Sequence, residues 1–486
     1  MHFVADLHLH SKYSRAVSRD MVLPIMAEWG KKKGIDILST GDWTHPLWFR
    51  EIKSQLEEKA EGLYKLKVQS SKFKVENEIL FLLSTEIASI YKQGDKLRRI
   101  HNLIFAPNFE TAEKVSKEFV RKGCNLHSDG RPMTGISSKN LLEIIMAIDE
   151  RCFLIPCHVW TPHFGIYGSA SGFDSLEEAF GDLNKYIYAI ETGLSSDPEM
   201  NWQMKELENR SILSFSDAHS PAKMGREATV FELEEPSYEN IRRAIMRIQK
   251  TQNTQKASKS DKSENQKVRQ SGLSDSLTSR HSEFSESSDN RIVYTIEFYP
   301  EEGKYHFSGH RNCGVVRGPE EIGKDGNICP VCKRQLTEGV LYRVSQLGDK
   351  SLAENQGNKM NSNNIKWHID KARKHPPYVK LVPLLEILAE GLESTVGSQK
   401  VKTLFDSLCE EFGSEINILL KTPIGLIQKS AGIKISEGIE KVRKGTIVID
   451  PGFDGEYGKV RIWDHEEELA VGSKENRSET QLGLGF

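Results

Sequence analysis

The chain has 486 residues, too many for one comfortable hydrophobic core, so two or three domains are expected. Lys and Arg number 66 against 69 Asp and Glu, a net charge of -3; no basic field covers the chain, and an anionic ligand would have to be met by local cations or metal ions. No run of about 18 apolar residues occurs, and the opening MHFVADLHLH has neither a basic nor an apolar leader, so a cytoplasmic protein with no membrane partner is expected.

Over residues 1–248 short apolar runs alternate with amphipathic stretches. Candidate strands are HFVADLH, GIDILSTGD, EILFLLSTE, IHNLIFA, CFLIPCH, YIYAIET and ILSFSDAH, while KNLLEIIMAID and YENIRRAIMRIQ carry apolar residues at helical spacing. Strand followed by helix over this length predicts an α/β barrel. Polar residues cluster at the ends of the strand runs: His8 and His10, Asp42 with His45, Glu86, His158, Glu191, and Asp217 with His219, while His101 sits at the start of its run. A barrel with its chemistry at one mouth places them in this way.

Residues two apart on a strand face the same side, so His8 and His10 can enter one pocket, and Asp217 and His219 another part of it. Imidazole with carboxylate is a ligand set for Zn, Mn or Fe. The number of donors allows two or three divalent ions (Zn, Mn, Mg or Fe), and neighbouring ions are a device for hydrolysing phosphoesters. Glu86 is a candidate bridge, and Glu191 either binds an ion or supports a residue that does. Asp217, Glu86 and His219 are the candidate catalytic residues, with Arg15 or Arg226 to hold a phosphate. Trp43, His163, Phe164 and Tyr167 lie in loops near these residues, where an aromatic ring either stacks on a base or packs in the barrel mouth.

Residues 249–290 are rich in Ser, Lys, Gln and Asn and nearly free of aliphatics, the composition of a flexible linker. Residues 291–350 hold His310, Cys313, Cys329 and Cys332 as two chelating pairs, the spacing of a closed structural zinc site, with His306 as an alternative to His310. The remaining cysteines, Cys124, Cys152, Cys157 and Cys409, sit among apolar neighbours and read as buried thiols. Residues 351–470 read as a largely helical domain, with Lys371, Arg373 and Lys374 as a basic approach that joins Arg226 as a candidate DNA contact. Two short helices around a glycine turn follow, loosely like a helix-hairpin-helix. Residues 471–486 form a polar tail that closes on QLGLGF, exposing Leu482, Leu484 and Phe486, as a partner-binding segment does.

DLHLHSKYS, STGDWTHP, STEIA, IHNLI, CHVWTPHFG and SFSDAHS resemble the successive motifs of the polymerase and histidinol phosphatase (PHP) family. The resemblance implies a distorted (β/α)7 barrel with a trinuclear metal centre. It gives one ion to His8, His10, Glu86 and Asp217, a second to Glu86, His101 and His158, and a third to His219 with Asp42 or His45. Ser14 and Arg15 stand where that family often has an acidic residue or histidine, a departure that leaves this loop without an obvious ligand.

Together with CPVCKRQLTEGVLYRVSQLGD, PPYVKLVPLLEILAE and PGFDGEYGKV, the chain resembles the endonuclease Q family, in its bacterial form. That implies a nucleoid-associated DNA repair enzyme cutting 5′ to deaminated bases (uracil, hypoxanthine, xanthine) or abasic sites, with the damaged nucleotide turned out of the stack. The closing hexapeptide is similar to the QLxLxF peptide that attaches to the bacterial sliding clamp, which assigns Gln481, Leu482, Leu484 and Phe486 to that contact. Two rivals are a small-molecule phosphoesterase of the histidinol-phosphatase type and a non-catalytic DNA or clamp adaptor.

Overall fold

The computed structural model describes residues 1–67, 78–247 and 290–464. The expected linker and terminal hexapeptide lie almost wholly outside the described residues. The first half contains β1 (His2–Asp6), β2 (Ile37–Ser39), a hairpin of β3 (Leu56–Ala60) and β4 (Leu63–Leu66), β5 (Leu80–Leu82), β6 (Ser84–Gln93), β7 (Lys96–Phe105), β8 (Met133–Thr134), β9 (Phe153–Pro156), β10 (Ala189–Glu191), β11 (Ser211–Leu213) and β12 (Ala228–Glu232). The second half adds β13 (Arg291–Glu297), a hairpin of β14 (Ser308–His310) and β15 (Val315–Arg317), then β16 (Gln356–Met360), β17 (Lys366–Asp370), β18 (Tyr378–Lys380), and a last hairpin of β19 (Val448–Asp450) and β20 (Lys459–Arg461).

The fold is α/β with a large mixed sheet. Ten strands run in the order β16-β17-β18-β13-β12-β1-β2-β5-β4-β3, and a second sheet runs β8-β6-β7-β9. β1 pairs β2, and β2 pairs β5, in parallel, whereas β12 lies antiparallel to β1. Strand and helix do not alternate throughout. β6 and β7 form a long antiparallel hairpin closed by a two-residue loop in which Gly94 takes φ 59, the left-handed geometry that such a turn needs and glycine supplies.

Helices form where capping and periodicity agree. In Phe109–Arg121 the Asn108 side chain accepts from the Thr111 N–H at 2.9 Å, and Ala112, Val115 and Phe119 turn inward. Links between the sheets bring the strand ends of the first half together. Ala106 N–H donates to Leu83 O at 3.2 Å, Val159 N–H to Glu191 O at 3.1 Å and His10 N–H to Ala218 O at 3.4 Å.

The second half is not set apart from the first. β13 pairs antiparallel with β12 and parallel with β18, so the stretch expected as a separate Cys/His unit begins inside the main sheet. The backbone groups on the free side of β12 need partners, and β13 supplies them. Likewise the stretch from 351 opens on the end of a short helix (Lys350–Ala353) followed by three strands, and among the described residues its other helices run from Leu384 to Lys444. One apolar cluster spans the halves, with Ala228 beside Ile296, Val379, Leu384 and Ile439. Lys33 and Glu415, both almost fully buried, meet at 2.7 Å across the same seam.

Candidate metal centre

His8 and His10 follow β1 and are fully buried. Each has its Nδ1 held from behind by a carboxylate, His8 by Glu191 Oε1 at 2.8 Å and His10 by Asp42 Oδ1 at 3.1 Å. That fixes both rings and directs Nε2 forward. His10 Nε2 lies 3.2 Å from Glu86 Oε2 and 3.0 Å from Asp217 Oδ1, and His8 Nε2 lies 3.6 and 3.8 Å from the same atoms. Glu86, on β6, uses its other oxygen. Oε1 is 2.5 Å from His101 Nδ1, on β7, and 3.2 Å from His158 Nε2, beyond β9.

Two donor groups result, His8 with His10, Glu86 and Asp217, and Glu86 with His101 and His158, the donor atoms of each within 4.8 Å of one another. Glu86 belongs to both. Nε2 of His8, Nε2 of His10 and Oδ1 of Asp217 are buried and, close as they lie, make no well-aligned hydrogen bond among the described residues, although buried polar atoms are nearly always satisfied. Three converging lone-pair atoms in that state suit a cation.

The ionisation of the group agrees. Burial pushes the Glu86 carboxyl up, but the His101, Arg131 and His10 side chains around it outweigh burial and hold it well below the carboxylate range. Burial opposes ionisation of Asp217 too, and His8 and His10 again prevail. Burial takes His101 down to about 4 in spite of Glu86, leaving a neutral imidazole, the form that binds metal. Burial also lowers His8 and His10, but Glu191 and Asp217 for the one and Asp42 and Asp217 for the other carry them well above the ordinary imidazole value. Metal binding would therefore release protons.

Backbone strain coincides with the site. Asp42 (φ 48), His158 (φ 29) and Asp217 (φ 47) sit in the left-handed region, sparsely populated by residues with a Cβ and recurrent where side chains must be aimed.

Several predicted residues stand elsewhere. Both Asp42 oxygens are committed, Oδ1 to His10 and Oδ2 to Ser11 N–H (2.6 Å), Ser11 Oγ (2.7 Å) and Ser14 Oγ (2.9 Å), so Asp42 orients His10. His45 caps the helix Pro46–Gln55 and stacks on Tyr13 with ring centroids 4.4 Å apart. His219 Nδ1 bonds to Asp217 O at 2.8 Å. Among the described residues neither Asp42, His45 nor His219 enters a group of three donors, whereas Glu191 does so with His8 and Cys157.

Arg15 is 70% exposed, with Nε 3.4 Å from Asp129 Oδ2, and Arg226 Nε donates to Ser216 O at 3.0 Å. Trp43 and Tyr167 are fully buried, so neither ring is free for a ligand; Phe164 is half-buried, its ring centroid 4.3 Å from that of His101.

Sequence reasoning missed Arg131. Its Nη1 lies 3.1 Å from Glu86 Oε2. The surrounding SDGRP looks like an ordinary turn, and nothing in its pattern signals a centre built from distant strands.

A further donor group stands apart. His310, Cys313, Cys329 and Cys332 converge with donor atoms within 4.8 Å, and Cys332 Sγ is 3.4 Å from His310 Nδ1. Backbone amides of Cys332 and Val331 bring the Cys329 thiol down to about 6, favouring the thiolate that metals bind. His306 is buried outside this group. Lys371, Arg373 and Lys374 lie on one turn after β17, with Lys374 paired to Glu208.

A family model described as the MJ0043 C-terminal domain matches residues 383–446. The MJ0043 protein of Methanocaldococcus jannaschii is 28% identical over 321 residues, 63% of this chain but only 32% of that protein; the chain thus spans about a third of that relative. YqxK of Bacillus subtilis is 25% identical over 469 residues, 94% of this chain and 98% of YqxK. The crystal structure of the lesion-specific endonuclease PfuEndoQ from Pyrococcus furiosus matches 97% of this chain and 99% of its own, with TM-score 0.72 and 27% identity. A crystal structure of Endonuclease Q with a 27-mer duplex bearing an abasic lesion at the active site matches 96% of this chain and 97% of its own, with TM-score 0.73 and 28% identity. Both endonuclease structures thus resemble this chain over nearly its whole length, in a fold that pairs a large mixed sheet with a helical carboxy-terminal region.

Proposed function

We propose that this chain is a metal-dependent DNA repair endonuclease that hydrolyses the phosphodiester 5′ of a deaminated base (uracil, hypoxanthine or xanthine) or an abasic site. The observation that carries this reading is the pair of buried donor groups sharing Glu86, together with whole-length likeness to an endonuclease in complex with abasic duplex DNA. We read the first half as a PHP-type distorted (β/α)7 barrel, since hydrogen bonds pass from β1 round to the segment after β11 and back through Leu9 and Ala218.

His8, His10, Glu86 and Asp217 would hold one ion and Glu86, His101 and His158 another; the third ion, at His219 with Asp42 or His45, is implied by the family resemblance alone. Bound divalent ions supply a nucleophile from water at neutral pH and neutralise charge on the phosphate. The chain's own part is positional. Asp42 and Glu191 keep the His10 and His8 rings turned forward, and the strained loops after the strands bring Asp217 and His158 to Glu86. His310, Cys313, Cys329 and Cys332 would hold one structural zinc. For the basic turn Lys371, Arg373 and Lys374 we propose a contact with the DNA backbone. Attachment to the sliding clamp through Gln481, Leu482, Leu484 and Phe486 rests on the sequence match, since these lie outside the described residues. No helix among the described residues is long and apolar enough to cross a membrane, in keeping with a DNA substrate.

The test is incubation of the full chain with Mn²⁺ or Mg²⁺ and duplex oligonucleotides carrying an abasic site, uracil or hypoxanthine, beside an undamaged control. A nick 5′ of the lesion is expected, absent in Asp217→Asn. Equal inertness of wild type and variant on every lesion would overturn the reading.

A further inference from the structure

The donor groups concentrate carboxylates where, on the reading above, an anionic phosphodiester must arrive. Glu86, Asp217, Asp42 and Glu191 are all within the site, and Asp129 stands at its edge. The chain as a whole is acidic by three charges and offers no long-range attraction. A phosphate approaching this centre therefore needs a local cation that the metal ligands themselves cannot be.

Arg131 meets that need in position, in fixation and in free donors. Its Nη1 is anchored on Glu86 Oε2 at 3.1 Å, while the side chain keeps 25% of its surface exposed. Its Nε and Nη2 bond no described residue and are not among the buried unpartnered atoms, so the guanidinium is held on the metal side and open on the other. The backbone around it is fixed from both directions. Arg131 N–H donates to Asp129 Oδ1 at 3.1 Å, and the same oxygen accepts from Arg15 N–H at 3.3 Å. Gly130 N–H donates to Tyr13 O, and Ala88 N–H, on β6, donates to Pro132 O, both at 3.1 Å. The approach is so close at position 130 that a Cβ there would lie 2.4 Å from Asp42 Oδ2 and from Ser14 Oγ, which only glycine avoids. The two arginines expected from the sequence pair with no donor of this centre: Arg15, 70% exposed, has Nε 3.4 Å from Asp129 Oδ2, and Arg226 Nε donates to Ser216 O.

We propose that Arg131 is the phosphate-holding residue of this centre, its free guanidinium N–H groups donating to a non-bridging oxygen of the phosphodiester while Nη1 stays on Glu86. A planar fork suits a tetrahedral oxyanion better than an ammonium does. The inference rests on the endonuclease reading for its substrate, but its first test does not depend on cleavage.

Full-length wild type, Arg131→Ala and Arg131→Lys, each loaded with Mn²⁺, are titrated calorimetrically with inorganic phosphate. Loss of a charge-assisted hydrogen bond lowers phosphate affinity by about 10–100-fold in Arg131→Ala, with partial recovery in Arg131→Lys. Mn²⁺ affinity, measured separately on each chain, is unchanged or higher in Arg131→Ala, because one competitor for Glu86 is gone. Phosphate affinity equal to wild type, or Mn²⁺ affinity falling in step with it, would overturn the proposal, the second outcome making Arg131 a support of the metal site only. In the nicking assay the same variant is expected to lose about 10²–10³ in kcat, partly restored by added guanidinium ion. If wild type fails to nick any lesion while the phosphate result holds, the DNA substrate is what fails and the role of Arg131 stands.

Discussion

Asp42 Oδ1 bonds to His10 Nδ1 at 3.1 Å, so the first carboxylate after β2 acts on the centre through an imidazole rather than directly. Such partners set the tautomer and aim of the ring, and their removal typically weakens metal binding by about 10–100-fold. Asp42→Asn is expected to lower Mn²⁺ affinity by about that factor while leaving the thermal midpoint of the metal-free chain within a few degrees of wild type. Mn²⁺ titration with parallel melting curves checks it; undiminished affinity would show that His10 is held by packing alone.

The Cys/His group invites a separate metal count. Cys329→Ser is expected to lose one zinc per chain by elemental analysis and to melt earlier, since metal binding and folding are coupled in so small a unit. Donors at β1, β6 and β7 are unaffected, so Mn²⁺ uptake there should persist. Loss of both together would mean that the two sites fold as one.

Stability above neutral pH should carry the mark of Glu302. Burial pushes its carboxyl up to about 8, with Glu386 adding to the rise. The folded chain then keeps a proton that the unfolded chain gives up near pH 4.5, so this group's contribution is full below that pH and is lost as pH rises through about 8. Melting curves from pH 6 to 9 should fall more steeply for wild type than for Glu302→Gln; parallel slopes would contradict the assignment.

Lys33 and Glu415 form a buried pair at 2.7 Å, and Glu415 Oε1 also accepts from the Leu384 N–H at 3.1 Å. Lys33→Met leaves that carboxylate unpaired in the interior, at a cost of about 3–5 kcal/mol. The double change Lys33→Met with Glu415→Leu should recover most of the loss apart from the Leu384 amide. Urea denaturation of the three chains would show it.

What was legible in the sequence was whatever has a short period or a fixed spacing. The His-x-His spacing in DLHLH put His8 and His10 on one side of a chain end, and paired spacing grouped His310, Cys313, Cys329 and Cys332, which the structure brings within reach of one another. Roles decided by distant partners were not legible. Asp42 and His45 are equivalent donors on paper. Only the fold shows Asp42 surrounded by Ser11, Ser14 and His10, and His45 turned to cap a helix. Arg131 meets Glu86 across forty-five positions, a contact that no local pattern records. Nor does composition reveal that β13 returns to β12, because pairing between remote strands is set by which edge lies open.

That return of β13 has a consequence for any attempt to divide the molecule. A cut anywhere between positions 247 and 290 would sever the covalent connection, yet the two fragments would remain zipped by backbone hydrogen bonds running through the middle of a ten-stranded sheet. Expressed alone, the amino-terminal fragment would present a raw β12 margin, with Ala228 and Val230 beside it, and would tend to self-associate. Co-expressed, the fragments should purify as a pair, so the chain is best regarded as a single cooperative body whose break point is genetic rather than architectural.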